Sequence, residues 1–327
     1  MCTAMTVRTP GGAVFFGRTM DFSYEVDPEL YLVPRGYAWN NLQNTHQIKT
    51  LYSFLGVGQD VSPLLFADGV NERGFAAAAL YFPGFAQYDA PSPRGADAPA
   101  IAATEVVKLL LGVCGSVEEA AAVLPTLRIV GARDAVTGSA APLHWLLADE
   151  SGACMTVEKT AEGLALLENP VGVLTNSPDF RWHLANLRNY MAASPVQREA
   201  ADWSGLSMTP FGQGAGLFGL PGDYSPPARF VRTAFQKSHA VFPEDREQAL
   251  SACFHVLEGV SIPKGVVVTD RGTWDYTQYT SFMDLGARAY CFRTYDDSRT
   301  VSARLPGRDL RGPGLLSLGK LLRREAP

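Results

Sequence analysis

The chain has 327 residues, 46% hydrophobic and 19% charged, an ordinary globular balance with enough apolar material for one large core or two modest ones. The formal net charge is −5, and the densest basic cluster, Arg311 to Arg324 with Lys320, lies in the C-terminal tail, so no face is built to neutralise phosphates and no nucleic-acid partner is expected. The first residues lack the basic start and apolar stretch of a secretory signal, and no apolar run reaches the length of a membrane span, so a cytoplasmic protein without a membrane partner is expected.

Cys2 to Arg8 alternates small or polar with apolar residues, breaks at Thr9-Pro10-Gly11-Gly12 and resumes as Ala13 to Met20, which reads as a β-hairpin. Further strands are predicted at Leu30 to Val33, Leu51 to Val57 and Gly74 to Phe82. Ile101 to Val113 has apolar residues at helical spacing, and Ser116-x-x-Glu119 has the form of a capping box opening a second helix through Leu124. His144 to Ala148 and Cys154 to Glu158 flank the turn residues Asp149-Glu150-Ser151-Gly152, and Leu164 to Leu167 with Val171 to Thr175 continue the strand pattern. Helices follow at Asp179 to Tyr190, at Pro226 to Lys237 with Ser225 as N-cap, and at Glu244 to Glu258. Strands return at Gly265 to Thr269, Tyr276 to Met283, Ala287 to Thr294 and Thr300 to Leu305, while Asp89 to Ala98 and Trp203 to Pro227 read as long surface loops. Strands, helices, strands, helices, strands in that order predict an α+β protein: two mainly antiparallel sheets with helices outside them, a four-layer α/β/β/α sandwich. No linker or repeat interrupts the pattern, so residues 1–327 read as a single domain.

A hairpin turning at Pro10-Gly11 pairs residues whose numbers sum to about 21, setting Cys2 opposite Thr19 with Arg18 and Asp21 close by. A slip of one position would turn those side chains to the other face. Loss of Met1 would give Cys2 a free α-amine titrating at about 7.7 to 8.0 beside a thiol near 8.5, so that one residue holds both base and nucleophile. Arg18 would favour the thiolate, and Asp21 could accept a hydrogen bond from the amine and orient it. Taken alone, Met1-Cys2 is an ordinary start before a small buried residue, and Arg18 with Asp21 a surface ion pair worth little. Their position between apolar runs argues for the chemical reading.

Met1-Cys2-Thr3, FGRTMDF at 16 to 22, FADGVNERGF at 66 to 75, PLHWLLADESG at 142 to 152, LTNSPDFRWHLANL at 174 to 187, GLPGDYSPPARFVR at 219 to 232 and YTQYTSFMD at 276 to 284 occur in one order over most of the length. With them the chain resembles the choloylglycine hydrolase family, conjugated bile salt hydrolases and penicillin V acylases, within the N-terminal-nucleophile (Ntn) hydrolases. The resemblance implies the Ntn-hydrolase fold and an amidase in which Cys2 attacks the carbonyl, a thioester forms, glycine or taurine leaves a steroid acyl group, and water releases the acid. Position by position it implies Cys2 as nucleophile, Arg18 and Asp21 as its N-terminal partners, Asn176 as a side-chain oxyanion donor and Arg229 as a positive charge for the transition state. An oxyanion donor typically contributes about 3 kcal/mol of barrier lowering.

Tyr81 departs from many bile salt hydrolases, which carry asparagine there, and matches penicillin V acylases. Its backbone N–H could complete the oxyanion hole while the ring narrows the substrate pocket. YTQYTSFMD and the loop before Gly219 look closer to bile salt hydrolases, so the choice between bile salts and penicillin V stays open, as does a silent ligand-binding member that keeps Met1. A homotetramer is also implied, with Ala192 to Tyr224 as the candidate inter-subunit segment. No cofactor or metal is expected. The five cysteines are dispersed, odd in number and without a C-x-x-C pair, which suits free thiols and argues against structural zinc. Gly214-x-Gly216-x-x-Gly219 has no strand before it and no helix after it, unlike a dinucleotide fingerprint. Among the histidines no H-E-x-x-H pair occurs, and His144 beside Trp145 reads as a packed strand residue.

Overall fold

In the computed structural model, residues 1–24, 27–60, 64–90, 99–133, 138–306, 310–312 and 314–321 are described. The chain opens on the expected hairpin, β1 (Cys2–Arg8) and β2 (Val14–Phe22), then lays down β3 (Glu29–Val33), β4 (Phe54–Asp60), β5 (Leu64–Asn71) and β6 (Phe75–Tyr81). Helices α1 (Val106–Val113) and α2 (Val117–Val123) precede β7 (Leu143–Asp149), β8 (Cys154–Thr160), β9 (Gly163–Glu168) and β10 (Val173–Leu174). Helices α3 (Phe180–Asn186), α4 (Pro226–His239) and α5 (Arg246–Glu258) lead into β11 (Val267–Val268), β12 (Trp274–Asp284), β13 (Ala289–Thr294), β14 (Val301–Arg304) and β15 (Leu316–Lys320).

The strands form two large sheets in which every named neighbour pair is antiparallel. The first runs β10-β1-β2-β12-β13-β14 with β11 on β12, the second β9-β8-β7-β6-β5-β4-β3-β15. Alternation along each strand sorts the apolar residues into two cores. Ala76, Ala78 and Leu80 of β6 share a core with Cys2, Ala4, Tyr279 and Tyr290 of the facing sheet, whereas Phe75 and Ala77 join Val106, Leu110, Val117 and Leu124 beneath α1 and α2. On the far side α4 and α5 pack against the first sheet, with Phe254 of α5 edge-on to Phe282 of β12. The expected four-layer sandwich is therefore present, and β1 and β2, covered by sheet on one side and helix on the other, are buried on both faces.

Several boundaries differ from expectation for identifiable reasons. The helix expected from Ile101 begins at Val106, because Ala100–Ala102 instead pairs in parallel with Arg128–Val130, a distant partner that no local period reports. The strand β5 was not expected: Asp68 and Gly69 are poor strand formers, and pairing with β4 and β6 overrides them. Ser116 caps α2 through the Glu119 N–H at 3.1 Å, but Glu119 reaches back to the Gly115 N–H and not to that of Ser116. The expected loop from Trp203 contains Leu206–Met208, paired with Ala201–Trp203, and β15 was also unforeseen. Of the loop expected at Asp89 to Ala98, residues 91–98 lie outside the described residues. His144 is a fully buried strand residue, stacked on Phe82 at 4.2 Å.

Candidate active site

The first hairpin sets the geometry. Cys2 pairs with Met20 and Thr3 with Thr19, one position away from the expected register. The turn explains the shift: Thr9 N–H bonds to Ala13 O at 2.8 Å around a three-residue loop whose last member, Gly12, has φ of 81°, a left-handed conformation open to glycine. This register puts Arg18 on the same face as Cys2, toward the second sheet, and turns Thr3, Thr19 and Asp21 toward α4.

Arg18 is fully buried, and each nitrogen of its guanidinium has a partner. Nη2 donates to Cys2 Sγ at 2.7 Å, Nη1 lies 3.3 Å from Asp68 Oδ2, and Nε donates to Thr19 O at 3.0 Å. Burial opposes the charge on Arg18, but Cys2, Tyr279 and Asp68 outweigh it and hold the guanidinium protonated. Asp68 reaches across from β5 and also accepts from Tyr279 Oη at 3.2 Å and Tyr290 Oη at 2.5 Å. Burial pushes its carboxyl up, against the pull of Arg18 and the two phenols. All three neighbours can donate to it and the guanidinium cannot accept, so the carboxylate is the form that satisfies the set.

On the other face of the hairpin, Arg229 of α4 donates to Cys2 O and to Thr3 Oγ1, each at 2.6 Å, and to Asn176 Oδ1 at 2.7 Å. Burial lowers its basicity, and Asp21, whose Oδ2 is 3.9 Å away, works in the opposite direction. The Asp21 carboxylate accepts from Thr19 Oγ1 at 3.0 Å and Thr277 Oγ1 at 2.6 Å. Met1 is joined to Cys2 here, so the atom that would become the α-amine is a peptide nitrogen. Its hydrogen goes to Asn176 Oδ1 at 3.0 Å and not to Asp21, whose backbone oxygen instead accepts from the Met1 amine at 2.5 Å.

Asn176 follows β10 and is fixed through both ends of its amide. Oδ1 takes two donors and Nδ2 gives one hydrogen to Tyr81 O at 2.7 Å, an assignment that satisfies all three partners. Two buried histidines hold the backbone on either side of this side chain: His144 Nε2 is 3.1 Å from Thr175 O, and His183 Nε2 is 2.9 Å from Asn176 O. Burial depresses His183 to about 4, so its ring is neutral near pH 7. Tyr81, the last residue of β6, is 38% exposed. Because Phe82 N–H bonds to Pro142 O, the Tyr81 N–H one residue earlier points to the opposite strand edge.

The structure thus joins Cys2, Arg18, Asp21, Tyr81, Asn176 and Arg229 in one network: Arg18 touches the Cys2 sulfur, Asn176 and Arg229 hold the Cys2 backbone, and Tyr81 and Asp21 adjoin through Asn176 and Arg229. Asp68, Thr277, Tyr279 and Tyr290 complete the cluster and were not singled out from sequence. Asp68 stands between Ala67 and Gly69 in an otherwise apolar stretch, which was the available signal, whereas the two tyrosines look like ordinary strand residues. Among the described residues, no three or more His, Cys, Asp or Glu are placed to hold a metal, and no helix is long and apolar enough to cross a membrane.

The profile of the family described as linear amide C-N hydrolases, choloylglycine hydrolase family, matches residues 2–317. A bile salt hydrolase/transferase of Clostridium perfringens is 36% identical over 302 residues, covering 91% of this chain and 91% of that protein. A crystal structure of a mutant conjugated bile acid hydrolase from the same organism superimposes with a TM-score of 0.89 at 33% identity, covering 97% of this chain and 96% of the other. Penicillin V acylase from Agrobacterium tumefaciens shares the fold, with a TM-score of 0.77 at 24% identity over 97% of this chain and 91% of that one.

Proposed function

This chain belongs to the choloylglycine hydrolase family of linear amide C-N hydrolases, and we propose that it cleaves the amide bond of glycine- and taurine-conjugated bile salts with Cys2 as nucleophile. The observation that carries the reading is the 2.7 Å contact from Arg18 Nη2 to Cys2 Sγ inside a buried cluster, joined to relatives whose names specify bile salts and conjugated bile acids.

After removal of Met1, the Cys2 α-amine keeps Asn176 Oδ1 as acceptor and takes the thiol proton. The thiolate, facing Arg18, attacks the substrate carbonyl, and the amine passes its proton to the departing glycine or taurine nitrogen. Water activated by the same amine then cleaves the thioester. The Asn176 amide has a second N–H beyond the one given to Tyr81 O, and with the Tyr81 N–H it supplies the oxyanion donors. Arg229 fixes the Asn176 amide and the first strand while adding positive charge, and Asp21 holds Thr19 of its own strand and Thr277 of the neighbouring β12.

A substrate panel on protein of verified intact mass tests this. Release of glycine or taurine should exceed release from penicillin V; preference for penicillin V would move the assignment to the acylase, and turnover of neither would end both readings. Cys2→Ala should abolish turnover while leaving the melting temperature near that of the parent. An active preparation that keeps Met1 would refute the amine as base.

We also propose a homotetramer in a reducing cytoplasm. The five free thiols suit that compartment. The segment from Ala192 to Tyr224 exposes Val196, Trp203, Leu206, Phe211 and Phe218, apolar side chains that self-association would cover.

A further inference from the structure

We propose that Asp68, with the hydroxyls of Tyr279 and Tyr290, is the positioning group that aims Arg18 at the Cys2 sulfur and moderates its charge. The inference rests on the reading of Cys2 as nucleophile and adds residues that reading does not require. Asp68 comes from β5 of one sheet; Arg18, Tyr279 and Tyr290 come from β2, β12 and β13 of the other, and all four are essentially removed from solvent.

A guanidinium presents its N–H groups in a rigid planar fork, so holding one arm sets the direction of the other. Asp68 Oδ2 holds Nη1 at 3.3 Å, Thr19 O holds Nε at 3.0 Å, and Nη2 is left directed at Sγ at 2.7 Å. The carboxylate is itself fixed by Tyr279 on Oδ2 and Tyr290 on Oδ1, so neither oxygen can swing away from the guanidinium. Arg18 alone beside the sulfur would favour the thiolate strongly and make it a weaker nucleophile, since nucleophilicity falls as the thiolate is stabilised. A counter-charge on the far arm limits that stabilisation while keeping the geometry. The charged and titratable groups that face the sulfur are Arg18, Arg229 and Tyr279 together with the freed Cys2 α-amine, while Asp68 acts through Arg18 and Tyr279, Tyr290 through Asp68, and Asp21 through Arg229.

The alternative is that Asp68 only pins the two sheets together. Asp68→Asn keeps the shape and removes the charge, and two readouts separate the roles. The first is the pH dependence of Cys2 alkylation by iodoacetamide, which reports this thiol because burial pushes Cys114, Cys154 and Cys253 up to about 12 and Cys291 up to about 11. The second is the partition between kcat and KM. A positioning role requires the acidic limb of alkylation to move to lower pH and kcat to fall roughly ten- to a hundredfold with KM changed by less than about threefold. It also requires non-additivity: in an Arg18→Leu background, Asp68→Asn should cost almost no further activity.

An unchanged alkylation profile, an unchanged kcat, or an equal loss with and without Arg18 would each overturn the proposal. Tyr290→Phe, which removes one hydrogen bond and leaves the packing, should give the same shifts in weaker form if Asp68→Asn fails to fold; no shift in that variant would equally overturn it. Cys2→Ala separates the two claims. If it retains turnover, the nucleophile assignment fails; if it is inactive while Asp68→Asn behaves as the parent, only the positioning role fails.

Discussion

His183 shows how one buried side chain couples the site to pH. Its ring is stacked on Phe230 at 4.6 Å, and Nε2 faces Asn176 O, which fixes the proton on that nitrogen. Burial depresses it to about 4 from an ordinary value of 6.5. The unfolded chain therefore binds a proton that the folded chain does not between those values, so stability rises with pH across the window and is lost as pH falls from about 6.5 toward 4. The contribution is on the order of 3 kcal/mol for a shift of that size. His183→Gln should flatten the acid side of the stability curve, measured by urea unfolding at pH 4.5 and pH 7; an equal difference in variant and parent would refute the assignment. The same substitution tests Asn176, because a loosened backbone at that carbonyl should lower kcat more than it raises KM.

At the scale of the element, β2 carries the most constraint. Gly17 lies between Phe16 and Arg18, and a Cβ there would sit 2.2 Å from the Phe282 ring and 2.6 Å from Ser281 O on β12. Gly17→Ala is expected to cost about 3 kcal/mol of unfolding free energy by overpacking, seen as a lower urea midpoint with an unchanged slope; a loss under about 0.5 kcal/mol would show that β12 can yield. The sequence made β1 and β2 legible because the Pro10-Gly11-Gly12 turn and the flanking alternation are local signals. Their exact register was not legible, since it depends on whether Gly12 adopts a positive φ, and that one residue decides whether Arg18 faces Cys2. Cys2, Arg18 and Asp21 were legible from the hairpin and the chemistry of a terminal cysteine, whereas Asn176 came only from the family resemblance, which carries positions but not contacts. Asp68 escaped because its partners lie 50, 211 and 222 residues away in sequence, beyond the reach of any periodicity.

For the whole molecule, the exposed apolar side chains between Ala192 and Tyr224 make assembly a measurable property. Sedimentation at micromolar concentration should give a tetramer, and Phe211→Asp with Phe218→Asp should shift it to smaller species while Cys2 alkylation stays as in the parent. A monomeric parent would remove the proposal. The reacting cluster also spans the chain, from Cys2 and Arg18 through Asp68, Tyr81 and Asn176 to Arg229, Tyr279 and Tyr290, drawn from both sheets and from α4. A nascent or partly refolded polypeptide lacking its last third has Cys2, Arg18 and Asp68 without Arg229 or the two tyrosines that hold the Asp68 carboxylate. If these residues act as proposed, turnover after denaturation is expected to return only when the final strands have docked, which would make the appearance of product a clock for completed folding.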